Sequence, residues 1–148
     1  MHVPAYNQET RMHVIMIYGL FAREFRQGLE GPTADSTGNL HGCIPAKDFI
    51  ETVLTGVDGE KDPRNLMLSF DLIRFLIHYY GFHTAMGPFL EDAFESLTNY
   101  FPIDFTPPKD DKYKITAADL KGRLNNALLA SPAIASLTIP FVLERLTT

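Results

Sequence analysis

Cysteine occurs once in the 148 residues, as Cys43. A single thiol excludes an internal disulfide framework and suits a reducing compartment. Nor can it hold an iron–sulfur cluster alone, because those clusters mostly need several cysteines. Long hydrophobic runs are missing: none approaches the ~20 residues of a membrane span. The opening Met1-His2-Val3-Pro4-Ala5-Tyr6-Asn7 lacks the basic flank and apolar core of a secretory signal. Positive charge is scarce, with a net charge of -5. That balance disfavours nonspecific attachment to nucleic acid or acidic membranes, since such affinity comes mostly from neutralising phosphate.

Motifs that carry chemistry are equally sparse. There is no nucleotide-binding loop and no dinucleotide fingerprint. Ser69, Ser96, Ser131 and Ser136 have no nucleophile-elbow surroundings. His41-Gly42-Cys43 offers two ligands where zinc normally takes four. His78 and His83 fall on either side of a helix stop, so they read as structural. Glu91, Asp92 and Glu95 read as the solvated face of a helix. The expectation is of no catalytic residue, no metal and no cofactor.

What is present is helix. Asp62-Pro63 places a capping side chain before a proline suited to the first helical position, and Gly81 stops the run that follows. Leu66, Phe70, Ile73, Ile77 and Tyr80 share one face. Met67, Leu68, Leu72, Phe75 and Leu76 cover most of the rest, leaving Arg64, Asp71, Arg74 and His78 as a narrow polar strip. A helix so apolar, about 27 Å long, needs protein on two or more sides. An earlier helix from Asn7 to about Phe25 is predicted to bury Val14, Ile17, Tyr18, Phe21 and Phe25, with Ile15 and Leu20 widening that face and Arg11 lying off it. Residues 27–44, rich in Gly, Ser and Thr, cannot bury enough surface to offset their ordering and predict a flexible loop. Pro45 opens a helix with Phe49, Ile50, Val53, Leu54 and Val57 as its stripe. Another begins near Gly87-Pro88 and ends at Phe101, before Pro102. Thr116 to Asp119 resembles a capping box, and Ser131-Pro132 starts a last helix with Ile134, Leu137, Phe141 and Leu146 as core candidates and Pro140 inside it.

Six helices and no convincing strand predict an all-α protein. Starts near Asn7, Asp62 and Thr116 are 55 and 54 residues apart, each interval holding one helix pair. That spacing suggests a single α-solenoid unit, HEAT- or armadillo-like, of about three helical hairpins over residues 1–148, although a compact six-helix bundle would read similarly. Residues 101–114 form its extended connector. Phe101, Ile103, Asp104, Phe105, Pro107 and Pro108 give this connector two readings: a strap pinning neighbouring hairpins, or a docking ridge for a protein partner. Phe101-Pro102 is a candidate cis bond.

Two long motifs, Asp58-Gly59-Glu60-Lys61-Asp62-Pro63-Arg64-Asn65-Leu66 and Tyr100-Phe101-Pro102-Ile103-Asp104-Phe105-Thr106-Pro107-Pro108, together with Ile115-Thr116, Asp119-Leu120 and Ile139-Pro140-Phe141, carry a resemblance. From about Val57 to Leu146 the chain resembles the N-terminal part of the HEAT-repeat adaptor family named for methyl-methanesulfonate sensitivity. It departs from that family at the 27–44 loop and at Lys112-Tyr113-Lys114, where a proline and a glycine are usual. The resemblance implies a non-enzymatic scaffold, part of a longer protein, that acts in cytosolic iron–sulfur protein assembly, nucleotide-excision DNA repair and RNA polymerase II transcription. Implied partners are the assembly targeting components, cluster-requiring repair and replication enzymes, and a transcription/repair factor, in cytoplasm and nucleus. Direct nucleic-acid and membrane contacts are not implied. The family's own contacts to the assembly machinery are attributed mainly to C-terminal repeats, so no functional residue carries over. The rival is a small all-α ligand-binding bundle or enzyme, which would need a closed pocket with inward polar groups. A solenoid segment without its neighbours exposes apolar end faces, which predicts self-association.

Overall fold

A computed structural model describes residues 5–24, 46–82 and 86–147. The 27–44 loop, Phe25, the His41-Gly42-Cys43 stretch, Pro45 and His83 lie outside the described residues. The elements are α1 (Gln8–Glu24), α2 (Ala46–Val57), α3 (Pro63–Tyr80), α4 (Leu90–Thr98), α5 (Ala117–Leu128) and α6 (Ala135–Thr147), with single 3-10 turns at Gly87–Phe89 and Pro132–Ile134. Among the described residues there is no strand.

Local chemistry sets the helix starts. The Asn7 side chain accepts from the Thr10 amide at 2.9 Å. Asp62 accepts from the Arg64 amide at 3.0 Å, with Pro63 behind it. At Thr116 the box is complete: its hydroxyl accepts from the Asp119 amide, and the Asp119 carboxylate accepts from the Thr116 amide at 2.8 Å. Ser131 caps the turn before α6 by accepting from the Ala133 amide. Gly81 ends α3 in right-handed geometry, with no left-handed turn. Glycine is required there for a different reason. A Cβ would run into the Ile77 carbonyl oxygen and lie 2.9 Å from the Ala133 Cβ.

The helices stack in two layers. α1, α3 and α5 form one, α2, α4 and α6 the other, and α2 and α4 each touch the first-layer helices on either side. Gln8 of α1 meets Asn65 near the start of α3, and the Ala22 carbonyl faces Tyr80 at its end, so α1 and α3 run parallel. Arg123 pairs with Asp71, and His78 meets the Ala130 carbonyl, so α5 runs parallel to α3 as well. Parallel first-layer helices, each separated by a returning second-layer helix, are the arrangement of an α-solenoid. The third pair is opened, α5 and the segment after it meeting at 86°. α3 lies at the centre, and Phe70, Leu72, Ile73, Leu76, Ile77 and Tyr80 are buried.

Two expectations need correction. In α1 the buried residues are Ile15 and Ala22, with Tyr18 and Phe21 half-buried, while Ile17 and Leu20 are exposed. α1 is apolar on two sides, so periodicity did not choose between them; the polar anchor at Gln8 and Arg11 turns the Ile15 side onto α3. Leu146 is also exposed, at 77%, because α6 packs through Ile134, Leu137 and Thr138 just before and within its first turn. The Thr138 hydroxyl there donates to the Leu128 carbonyl.

Candidate functional site

The extended segment after α4 lies on the helices. α4 closes where the Phe101 amide donates to the Thr98 carbonyl, and the Phe101-Pro102 bond is cis. Phe101 stacks edge-on against Phe141 of α6 at 5.3 Å and stays partly exposed. Ile103 and Phe105 are half-buried against the core. They line a groove of about 320 Å³ with Pro63, Leu66 and Phe70 of α3, Tyr100, and Leu120 of α5. Asp104 borders the groove and is exposed, as are Pro107 and Pro108. Five of the six sequence candidates thus divide into two inward apolar anchors and three outward residues, and the sixth, Phe101, bridges to α6.

One end of the groove is built on a buried carboxylate that sequence reasoning missed. Glu60 is only 6% exposed. Arg11 of α1 donates to both its oxygens, Nε at 2.8 Å and Nη2 at 2.9 Å. The Lys61 and Asp62 amides donate to Oε1, each at 2.9 Å. The Asn65 amide donates to Oε2 and to the Gln8 carbonyl. The Tyr100 hydroxyl donates to the Glu60 carbonyl at 2.9 Å. Burial alone would raise the Glu60 pKa; the Arg11 guanidinium and the three N–H donors outweigh it and hold the carboxyl below its ordinary value. Burial pushes the Tyr100 phenol up to about 12. This cluster fixes α1, α3 and the end of α4 to the turn before α3. Its one local signal was Asn65 with Ser69, two polar residues a helical turn apart on the otherwise apolar, buried side of α3. Ser69 is satisfied by the Asn65 carbonyl at 2.8 Å.

At the far end of the connector, Asp111 accepts from the Tyr113 and Ile115 amides and shapes the turn. Arg64, forked onto Asp62, stacks over the Tyr113 ring at 4.2 Å. Lys114 takes a positive φ of 53°. Lys112-Tyr113-Lys114 therefore make this turn with a side-chain stack and one left-handed lysine. His78 Nδ1 lies 3.0 Å from the Ala130 carbonyl, which can only accept, so that nitrogen carries the proton and joins α3 to the end of α5. Among the described residues no three His, Cys, Asp or Glu side chains gather as a metal site.

Comparison with known proteins matches the whole chain, residues 1–148, to the family described as Dos2-interacting transcription regulator of RNA-Pol-II. The MMS19 nucleotide excision repair protein homolog of Mus musculus is 38% identical over 144 residues, 97% of this chain and 12% of that protein. The Homo sapiens homolog is 35% identical over 144 residues, again 97% of this chain and 12% of that protein. The MMS19 DNA repair/transcription protein of Saccharomyces cerevisiae is 46% identical over 99 residues, 67% of this chain and 9% of that protein. The chain thus spans about an eighth of the length of the mammalian relatives.

Proposed function

Because the chain belongs to the MMS19 family, Dos2-interacting regulators of RNA polymerase II transcription, we propose that it is a non-enzymatic adaptor segment of a DNA repair and transcription scaffold. Its work is the display of helical surface to client proteins. Those clients are cluster-requiring repair and replication enzymes that receive iron–sulfur clusters through the assembly targeting components. The cluster is cargo of that process, and this segment holds none of its own. The chain acts in the cytoplasm, where clusters are delivered, and in the nucleus, where repair and transcription take place.

The observation that carries this reading is the connector. Ile103 and Phe105 hold it down, Asp104 stands outward at the rim of a preformed groove, and Pro107 and Pro108 follow it, exposed. A strap pinned at alternate residues loses little entropy on docking, so its outward residues are preorganised for a partner. The Glu60 cluster keeps the groove end rigid. The test is a pull-down of cluster-requiring helicases and polymerases on the wild-type chain and on an Asp104→Lys, Pro107→Ala, Pro108→Ala variant. These positions are exposed, so the fold is expected to survive, as far-UV circular dichroism would verify. Client recovery should fall roughly tenfold in the variant. Unchanged recovery would remove the connector from docking; no recovery on the wild type would remove client binding from this segment.

A further inference from the structure

The first helical layer carries a feature of opposite sign to the chain. Arg23 of α1, Arg74 of α3 and Arg123 of α5 converge around one open pocket of about 550 Å³, with Phe75, His78 and Tyr79 in its wall. Asp71 is its single carboxylate and is taken up by Arg123. Among the described residues Arg23 and Arg74 have no carboxylate partner, and Arg23 lies 5.9 Å above the Phe75 ring. A chain of net charge -5 has thus gathered three of its thirteen cations on one surface.

A second cleft, about 200 Å³, shares Arg23, Asp71 and Phe75 with the first. Its remaining wall is apolar, from Ile15, Met16 and Leu20 of α1 and Leu68 and Leu72 of α3. Met16 and Leu20 are about half exposed, so this apolar side of α1 is left open by the helices packed around it.

We propose that the two clefts form one docking site for a short acidic peptide segment of a partner protein, with an apolar anchor beside its carboxylates. The anchor enters between Met16, Leu20 and Leu72, and the carboxylates are received by Arg23 and Arg74. Arginine forks match carboxylates in two-point geometry, and Phe75 and Tyr79 supply flat apolar wall beside them. A nucleic acid fits less well. Phosphodiester binding draws its affinity from many neutralised phosphates, whereas this pocket holds a small excess of positive charge within an acidic chain, and an apolar cleft offers a sugar-phosphate backbone nothing. The inference rests on the charge and shape of this face and not on the connector groove.

The probe is a labelled peptide of about ten residues with a Leu-Phe anchor followed by glutamates, titrated with the full chain by fluorescence anisotropy. The comparison ligands are the same peptide with lysines for glutamates and a single-stranded oligonucleotide of about ten bases. The acidic peptide should bind roughly tenfold or more tighter than either, and more weakly as salt rises. Arg23→Glu with Arg74→Glu, both exposed, should cut its affinity about tenfold, and Met16→Asp several-fold. Equal binding of the lysine peptide, tighter binding of the oligonucleotide, or indifference to either set of substitutions would overturn the proposal. Such a failure leaves client docking at the connector untouched, because that is read out by the Asp104 variant.

Discussion

Glu60 is a carboxylate that folding removes almost wholly from water and then supplies with four sets of donors. The stability it contributes depends on its charge. Its folded pKa lies below the ordinary glutamate value, so the contribution is complete above that value, near 4, and is lost as pH falls through the folded pKa. Urea denaturation between pH 7 and pH 3 should therefore show stability falling with acid, and Glu60→Gln should flatten part of that fall. Arg11→Ala leaves the buried carboxylate without its guanidinium and should destabilise the chain by roughly 3 kcal/mol. A change within a few tenths would mean that the amide donors alone suffice. Lys114 is the opposite case. It is exposed and sits in a left-handed conformation that costs a side-chain-bearing residue about 1 kcal/mol. Lys114→Gly should stabilise the chain by at most about 0.6 kcal/mol, once glycine's extra entropy in the unfolded chain is subtracted, read as a higher urea midpoint.

At the scale of elements, α3 explains the others. Its polar strip is narrow because α1, α2, α4 and α5 all lie against it. Its end is set by contact: Gly81 lets the turn at Pro132–Ile134 approach more closely than a Cβ would allow. Gly81→Ala should destabilise by about 1–3 kcal/mol, the range for overpacking, read as a lowered melting temperature. An unchanged value would show that the turn shifts freely. α1 shows how a helix can be ambiguous. Ile17 and Leu20 repeat as regularly as Ile15 and Ala22, and neither set is more helical than the other. The anchor between Gln8, Arg11, Glu60 and Asn65 decides which turns inward.

At the scale of the molecule, two parallel-stacked layers leave the last helix with one side uncovered. Ile139, Leu143 and Leu146 of α6 are each more than half exposed, and Val142 nearly so. Such a strip is what a following repeat would cover, and the isolated chain should cover it with a second copy. Sedimentation velocity should show mass rising with concentration. Leu143→Glu with Leu146→Glu should return the chain to monomer while leaving its helix content unchanged. A wild-type chain that stays monomeric at high concentration would break this expectation.

The sequence by itself determined where most of the described helices begin and that the chain is built of helices without strands. Those facts rest on interactions three or four residues long: the Asn7, Asp62, Thr116 and Ser131 caps, the prolines that follow two of them, and apolar residues repeating with the helix turn. Only the tertiary structure decided which side of α1 is buried, which carboxylate is enclosed, and that arginines from three helices meet on one surface. Each of those depends on partners about fifty residues apart, as Arg11 is from Glu60 and Asp71 from Arg123, and no local preference ranks one distant partner over another until the layers are in place.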